Sequence, residues 1–121
     1  MLIAIITILI LGGGSIGLLD YIADAKDNVK QVMPKSDEQE AALATLKAMK
    51  KRTQAHNKQI KNTFKGLEKE FEDYGASDEA INRMWSEFFS DRKLYDGDML
   101  DLRFELKEHI NREEWEKIFP G

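Results

Sequence analysis

The sequence predicts an all-α protein in which a single N-terminal transmembrane helix precedes an antiparallel helical hairpin or small helical bundle. Three observations predict this class: an uncharged apolar run at the N-terminus, many helix-forming residues after it, and only two prolines, Pro34 and Pro120. Alanine, leucine, lysine and glutamate favour helices, and no alternating apolar and polar stretch is long enough to indicate a strand. Cysteine is absent, which excludes disulfides and thiolate metal sites.

The apolar run covers residues 1–19 and contains no charged side chain. A helix of this length spans roughly 28 Å, which is close to the hydrocarbon thickness of a bilayer. Asp20 ends the run, and Tyr21 follows where an interfacial aromatic residue would lie. We therefore predict a retained signal anchor.

Two alternatives to a retained anchor stay open. A cleaved secretory signal would have its apolar region from Leu2 to Leu11, with Gly13 and Ser15 as small residues before the cut. No lysine or arginine precedes the apolar run, and the sequence stays apolar after Ser15, which both argue against cleavage. The second alternative is a buried helix of a soluble domain.

The anchor carries two further signals, one for packing and one for orientation. Gly13 and Gly17 have the spacing that lets two membrane helices approach closely, although the run of glycines around them also fits a simple kink. No basic cluster directly follows the anchor, which favours a bacterial inner-membrane protein with its C-terminal domain in the periplasm. A cytoplasmic domain stays open because only the α-amino group precedes the anchor.

Residues 20–35 are predicted to continue as a juxtamembrane helical stalk, and residues 36–121 to form the helical domain. Pro34 ends the stalk, because the residue before a proline is pushed out of the helical region. Ser36 opens a long helix to about residue 74, with Gln39 completing a capping box. Ser77 caps the next helix.

A break is predicted at residues 95–98, where Tyr95, Asp96, Gly97 and Asp98 follow one another. A fourth helix would then begin at Met99. Asn111 and Glu114 form a second capping box, which opens a last short helix that ends at Phe119.

The apolar residues of the long helix fall into two patches with a polar stretch between them. The patches are Leu43, Leu46 and Met49, and then Ile60, Phe64, Leu67, Phe71 and Tyr74. The same heptad register falls on Lys50, Thr53 and Asn57 between them, which argues against one continuous coiled coil. We expect the second patch to pack against an aromatic face within residues 81–89, as in an antiparallel hairpin.

Charge is divided unevenly along the domain. Residues 47–65 contain seven basic and no acidic residues, whereas residues 66–121 contain sixteen acidic and eight basic residues. This pattern fits self-complementarity, within the chain or with a second copy, or a surface for an anionic partner. The candidate binding residues are Lys50, Lys51, Arg52, Lys58, Trp115 and Phe119.

The basic residues are compatible with two anionic partners other than protein. In a domain that faces the cytoplasm, a basic helix close to the membrane can dock on anionic lipid. Nucleic acid uses the same electrostatic attraction, but no groove-reading motif is present, and the net charge of −4 opposes it. We therefore expect no nucleic-acid partner.

No sequence motif indicates catalysis, a metal site or a cofactor. The only histidines are His56 and His109, and the pair Glu105 and His109 has a metal-compatible spacing that solvent-exposed helices also show. The acidic cluster that includes Asp96, Asp98 and Asp101 lacks EF-hand ligand spacing. We expect neither an enzyme nor a cofactor.

The layout of an anchor, a helical hairpin and a capped final segment, Asn111-Arg112-Glu113-Glu114-Trp115, is similar to that of small bacterial periplasmic metal-sensing and envelope-stress proteins. The resemblance implies a helical sensor or chaperone, although the histidine and methionine clusters of a metal sensor are missing. The leading prediction is a non-enzymatic, membrane-anchored protein whose extracytoplasmic domain binds a protein partner or itself. The sensor and the lipid-docking domain are the alternatives.

Overall fold

The computed structural model describes residues 15–120, which form four α-helices and, within that range, no strand. Helix α1 covers Ser15–Val32, α2 Asp37–Glu72, α3 Asp78–His109 and α4 Arg112–Ile118. The all-α prediction is therefore confirmed. None of these helices is both long and apolar enough to cross a membrane, and most of the predicted anchor, including Gly13, lies outside the described residues.

Side-chain caps fix the starts of the last three helices. Ser36 Oγ accepts a hydrogen bond from the backbone N–H of Gln39 at 3.2 Å, and Ser77 caps α3 through Ala80 in the same way. The capping box at Asn111 and Glu114 is complete, as predicted. The box at Ser36 is only half formed, because the side chain of Gln39 is buried and donates to the carbonyl of Met33 instead.

Helices α2 and α3 form the predicted antiparallel hairpin, joined by a turn at residues 73–77. One correction concerns α3, which continues through residues 95–98 without the predicted break. A glycine within a helix costs only about 1 kcal/mol, and Tyr95 is buried against α2, so packing holds the helix together across Gly97. There is accordingly no separate helix that begins at Met99.

The hydrophobic core lies at one end of the hairpin, which we call the base. Its buried residues are Ile22, Ala25, Val29, Met33, Ala42, Leu46, Leu106, Ile110 and Ile118. Helix α1 packs against both α2 and α4, and the side-chain amide of Asn28 donates to the carbonyl of Ile118 at 3.0 Å. The predicted stalk, residues 20–35, therefore does not stand apart from the helical domain, because its apolar face supplies almost half of this core.

Candidate interaction surface

Beyond the base, α2 and α3 are the only helices of the described residues that continue. Four residues, 33–36, connect α1 to α2, so α1 lies antiparallel along α2. With 18 residues, α1 is roughly 27 Å long and reaches only about residue 55 of α2. We call residues 57–91 the distal hairpin, and its only buried apolar residue is Leu67.

One side of the distal hairpin is covered with aromatic rings, and we call it the aromatic face. It consists of Phe64, Phe71, Trp85, Phe88 and Phe89. The rings of Trp85, Phe88 and Phe89 lie within 6.0 Å of one another, and Phe64 lies 5.7 Å from Phe88. Phe71 is 65% exposed, Phe89 59% and Phe64 44%. The cluster is therefore contiguous, and water contacts much of it.

An open groove runs along α2 on this face and consists of two adjoining parts. The part nearer the tip has a volume of about 420 Å³ and includes Phe64, Phe71 and Trp85. The part nearer the base has about 410 Å³ and includes Asn57 and Ile60. Phe64 lines both parts, so the groove is continuous along about four turns of α2.

The exposure of Phe64 and Phe71 corrects the predicted apolar seam of the long helix. The seam that meets α3 instead contains Thr53, His56, Ile60, Thr63, Leu67 and Glu70. Gly66 lies on this side of α2, and a Cβ atom there would lie 2.6 Å from the Met84 methyl group. The end of the Met84 side chain therefore occupies the space that a side chain at residue 66 would need, while Phe64 and Phe71 are exposed.

A buried polar layer separates the core at the base from the distal hairpin. The hydroxyl groups of Thr53 and Tyr95 form a hydrogen bond of 2.9 Å, and the ring of His56 stacks on that of Tyr95 with centroids 3.9 Å apart. All three residues are buried. A polar middle was predicted for this helix but not this pairing, because His56 lies outside the predicted seam.

The electrostatics of this layer disfavour charge on its buried groups. Burial is the main cause that lowers the pKa of His56, and the guanidinium of Arg52 adds to the effect. Burial likewise raises the pKa of Tyr95, although its hydrogen bond with Thr53 opposes the rise. Nδ1 of His56 is buried and has no hydrogen-bond partner among the described residues. A neutral imidazole is therefore the form that this layer accommodates.

The predicted binding residues do not form one site. Lys50, Lys51 and Lys58 are exposed on α2, but Arg52 is half-buried, pairs with Asp98 at 2.8 Å and lies over the Tyr95 ring. Gly17, which was predicted to pack membrane helices together with Gly13, is exposed near the start of α1.

The terminal aromatic residues are half-buried and pack against other residues of the chain. The rings of Trp115 and Phe119 lie 4.6 Å apart, and Phe119 also stacks on Tyr21 of α1. Arg103 lies over the ring of Trp115. Both residues adjoin the core at the base, so they hold α4 against α1.

The remaining candidate for chemistry, His109, contacts an acid on another helix. Its Nδ1 lies 2.9 Å from Oε2 of Glu38, which joins the end of α3 to the start of α2. Among the described residues there is no group of three or more histidine or acidic side chains that could hold a metal.

Comparisons with known proteins add no assignment. The chain matches no known protein family, and no curated protein or solved structure shows significant similarity to it.

Proposed function

We propose that this chain is a non-catalytic helical interaction protein that is anchored in a membrane by its N-terminus and binds a protein partner through the aromatic face. In this account the base is a folding unit that holds the distal hairpin in place, and the hairpin makes the contact. The predicted placement of the domain in the periplasm of a bacterial cell is part of the proposal.

The single observation that carries the interaction is the exposure of the aromatic face within the described residues, where Phe71 and Phe89 are more than half exposed. Large aromatic residues dominate the energetics of protein interfaces because each can bury about 150–250 Å². Monomeric soluble proteins rarely expose contiguous apolar patches of more than a few hundred Å², and a larger patch marks an interaction site. Phe64, Phe71 and Phe89 are too exposed to contribute fully to the stability of this chain alone.

The anchor rests on the sequence of residues 1–19. Leu18 packs against the core at the base. A membrane-spanning segment would therefore end before Leu18. Residues 1–17 are uncharged and would span roughly 26 Å as a helix, which is at the short end of the range for a single crossing.

Site-specific photo-crosslinking in membranes of the producing bacterium tests the interaction. A photoreactive amino acid would replace Phe71 in the full chain, and the control would carry it at Glu40, which is exposed on the base. We expect one discrete adduct from position 71 and none from position 40. The absence of any adduct from position 71, or equal adducts from both positions, would contradict the proposal.

A second candidate is docking on anionic lipid, which the exposure of Lys50, Lys51 and Lys58 favours. These side chains need a cytoplasm-facing domain to meet the acidic leaflet. Flotation of the chain with vesicles that contain phosphatidylserine tests it. Replacement of the three lysines by glutamine would abolish a salt-sensitive part of binding if lipid is the partner and would leave flotation unchanged if it is not.

A further inference from the structure

The groove on the aromatic face carries opposite charges at its two ends. Lys61 and Lys65 line the part nearer the base, Glu72 lines the part nearer the tip, and Glu68 lies where the two parts meet and lines both. Lys58 lies one turn before Lys61 on the exposed surface of α2 and extends the basic part. Along a single helix edge, three positive charges are thus followed by two negative charges.

The same division appears over a longer stretch of the chain. Residues 66–82, which form the tip, contain six acidic residues and one basic residue, whereas residues 47–65 contain seven basic and no acidic residues. Within residues 15–120, the ion pairs are Arg52–Asp98, Glu38–His109 and Arg112–Glu116. Among residues 15–120, the charges along the groove therefore form no ion pair within 4.0 Å.

Resting on the proposed function, we infer that the partner of the aromatic face is a second copy of this chain, packed antiparallel across the groove. A twofold axis close to residue 65 would place Lys58 of one copy opposite Glu72 of the other, and Lys61 opposite Glu68. Each of these pairs occurs twice, because a twofold interface uses the same surface on both subunits. Lys65 alone would lie beside its own equivalent at the axis, where Glu68 of each copy also lines the groove. The two distal hairpins would together form a four-helix bundle.

The order of the charges along the groove favours an antiparallel over a parallel arrangement of the two copies. A parallel pair in register would place lysines opposite lysines and glutamates opposite glutamates, and like charges across an interface oppose association. In the antiparallel pair, Phe64 lies next to the axis and meets its equivalent. Phe71 then contacts the groove wall near Ile60, so the exposed rings of both copies become buried.

Charge reversal in two complementary variants tests this arrangement on the full chain in mild detergent. The first variant is Lys58→Glu with Lys61→Glu, and the second is Glu68→Lys with Glu72→Lys. Alone, each places like charges opposite one another at four positions, so we expect the dissociation constant of each homodimer to rise ~10-fold or more. An equimolar mixture restores opposite charges at all four positions and should form a heterodimer about as tight as the unmodified dimer.

A third variant, Lys107→Glu with Lys117→Glu, is the control, because both lysines are exposed on the base. It should dimerise as the unmodified chain does. An unmodified chain that stays monomeric, or a mixture that associates no better than its components, would overturn the inference. The proposed function would survive that result if photo-crosslinking at Phe71 still gave an adduct whose mass identifies a different protein.

Discussion

The imidazole ring of His56 lies flat on the phenol ring of Tyr95, with centroids 3.9 Å apart and planes at 3° to each other. Arg52 lies on the same phenol ring, with its guanidinium carbon 5.3 Å from the centroid. Tyr95 therefore organises the polar layer, because its ring holds two cationic or titratable side chains and its hydroxyl bonds to Thr53. The polar layer lies between the base and the distal hairpin.

Removal of the Tyr95 hydroxyl is expected to destabilise the fold. In Tyr95→Phe, the buried hydroxyl of Thr53 loses its oxygen partner and keeps only the weak contact with Met99 Sδ at 3.8 Å, which costs about 1–2 kcal/mol. The double variant Tyr95→Phe with Thr53→Val should cost less than the sum of the two single changes, because it leaves no unpaired hydroxyl. Urea unfolding at one fixed protein concentration measures this, and strictly additive losses would contradict the pairing.

Acidification is expected to weaken the fold through His56. Burial and Arg52 lower its pKa below the ordinary value of 6.5, so the unfolded chain takes up this proton before the folded chain does. The contribution of His56 is then fully present above about pH 6.5 and is lost as the pH falls through the folded pKa. Four charged groups act on the ring: Arg52, Arg92, Asp91 and Asp96.

The variant His56→Phe tests this pH dependence, because phenylalanine keeps the stack on Tyr95 but cannot bind a proton. Between pH 7.5 and pH 5, the free energy of unfolding should fall less steeply for the variant than for the unmodified chain. Identical slopes would show that His56 does not titrate as described. Comparison at matched pH removes the contribution of the carboxylates, which both chains share.

The helical class and the caps could be predicted because they depend on local residues. Ser36, Ser77 and Asn111 each provide an oxygen to backbone N–H groups only three residues away. The ends of α2 and the start of α3 follow from Pro34 and from the turn before Ser77. None of these features needs a contact with a distant helix.

The rotation of α2 could not be predicted because two adjacent heptad registers compete. One places Phe64 and Phe71 inside, and the other places His56 and Thr63 there, while both share Thr53, Ile60 and Leu67. The hydrophobicity of Phe64 and Phe71 favours the first register. The structure has the second register, in which the Met84 methyl group lies against Gly66, and such a contact between distant residues leaves no periodic signal in the sequence.

Replacement of Gly97 by alanine is expected to stabilise the protein. Gly97 lies inside α3, and an added Cβ would meet nothing within 4 Å. Alanine there restricts the unfolded chain and favours the helix, for a gain of about 0.5–1 kcal/mol.

The matched control is Gly66→Ala, where the added Cβ would meet the Met84 methyl at 2.6 Å. That collision should reduce the gain in helix propensity, because the end of the Met84 side chain must shift. Thermal unfolding of both variants gives the comparison. Equal gains at both positions would contradict a cost of the contact between Met84 and Gly66.

Two leucines of α3 test the position of the core. Leu106 is 1% exposed and Leu100 is 50% exposed. Leu106→Ala should cost about 2–5 kcal/mol, because it empties a filled part of the core at the base. Leu100→Ala should cost under about 1 kcal/mol in the free energy of unfolding, since water already contacts its side chain. Similar losses in the free energy of unfolding for the two variants would contradict a core at the base.

The molar mass of the full chain by sedimentation equilibrium, in density-matched detergent, tests the central claim most directly. The variant Phe71→Ser removes a ring of the aromatic face, and Phe104→Ser is the control because Phe104 is similarly exposed but lies outside that face. We predict twice the chain mass for the unmodified protein and for Phe104→Ser, and the mass of a single chain for Phe71→Ser. The same mass for all three proteins would contradict an interface on the aromatic face.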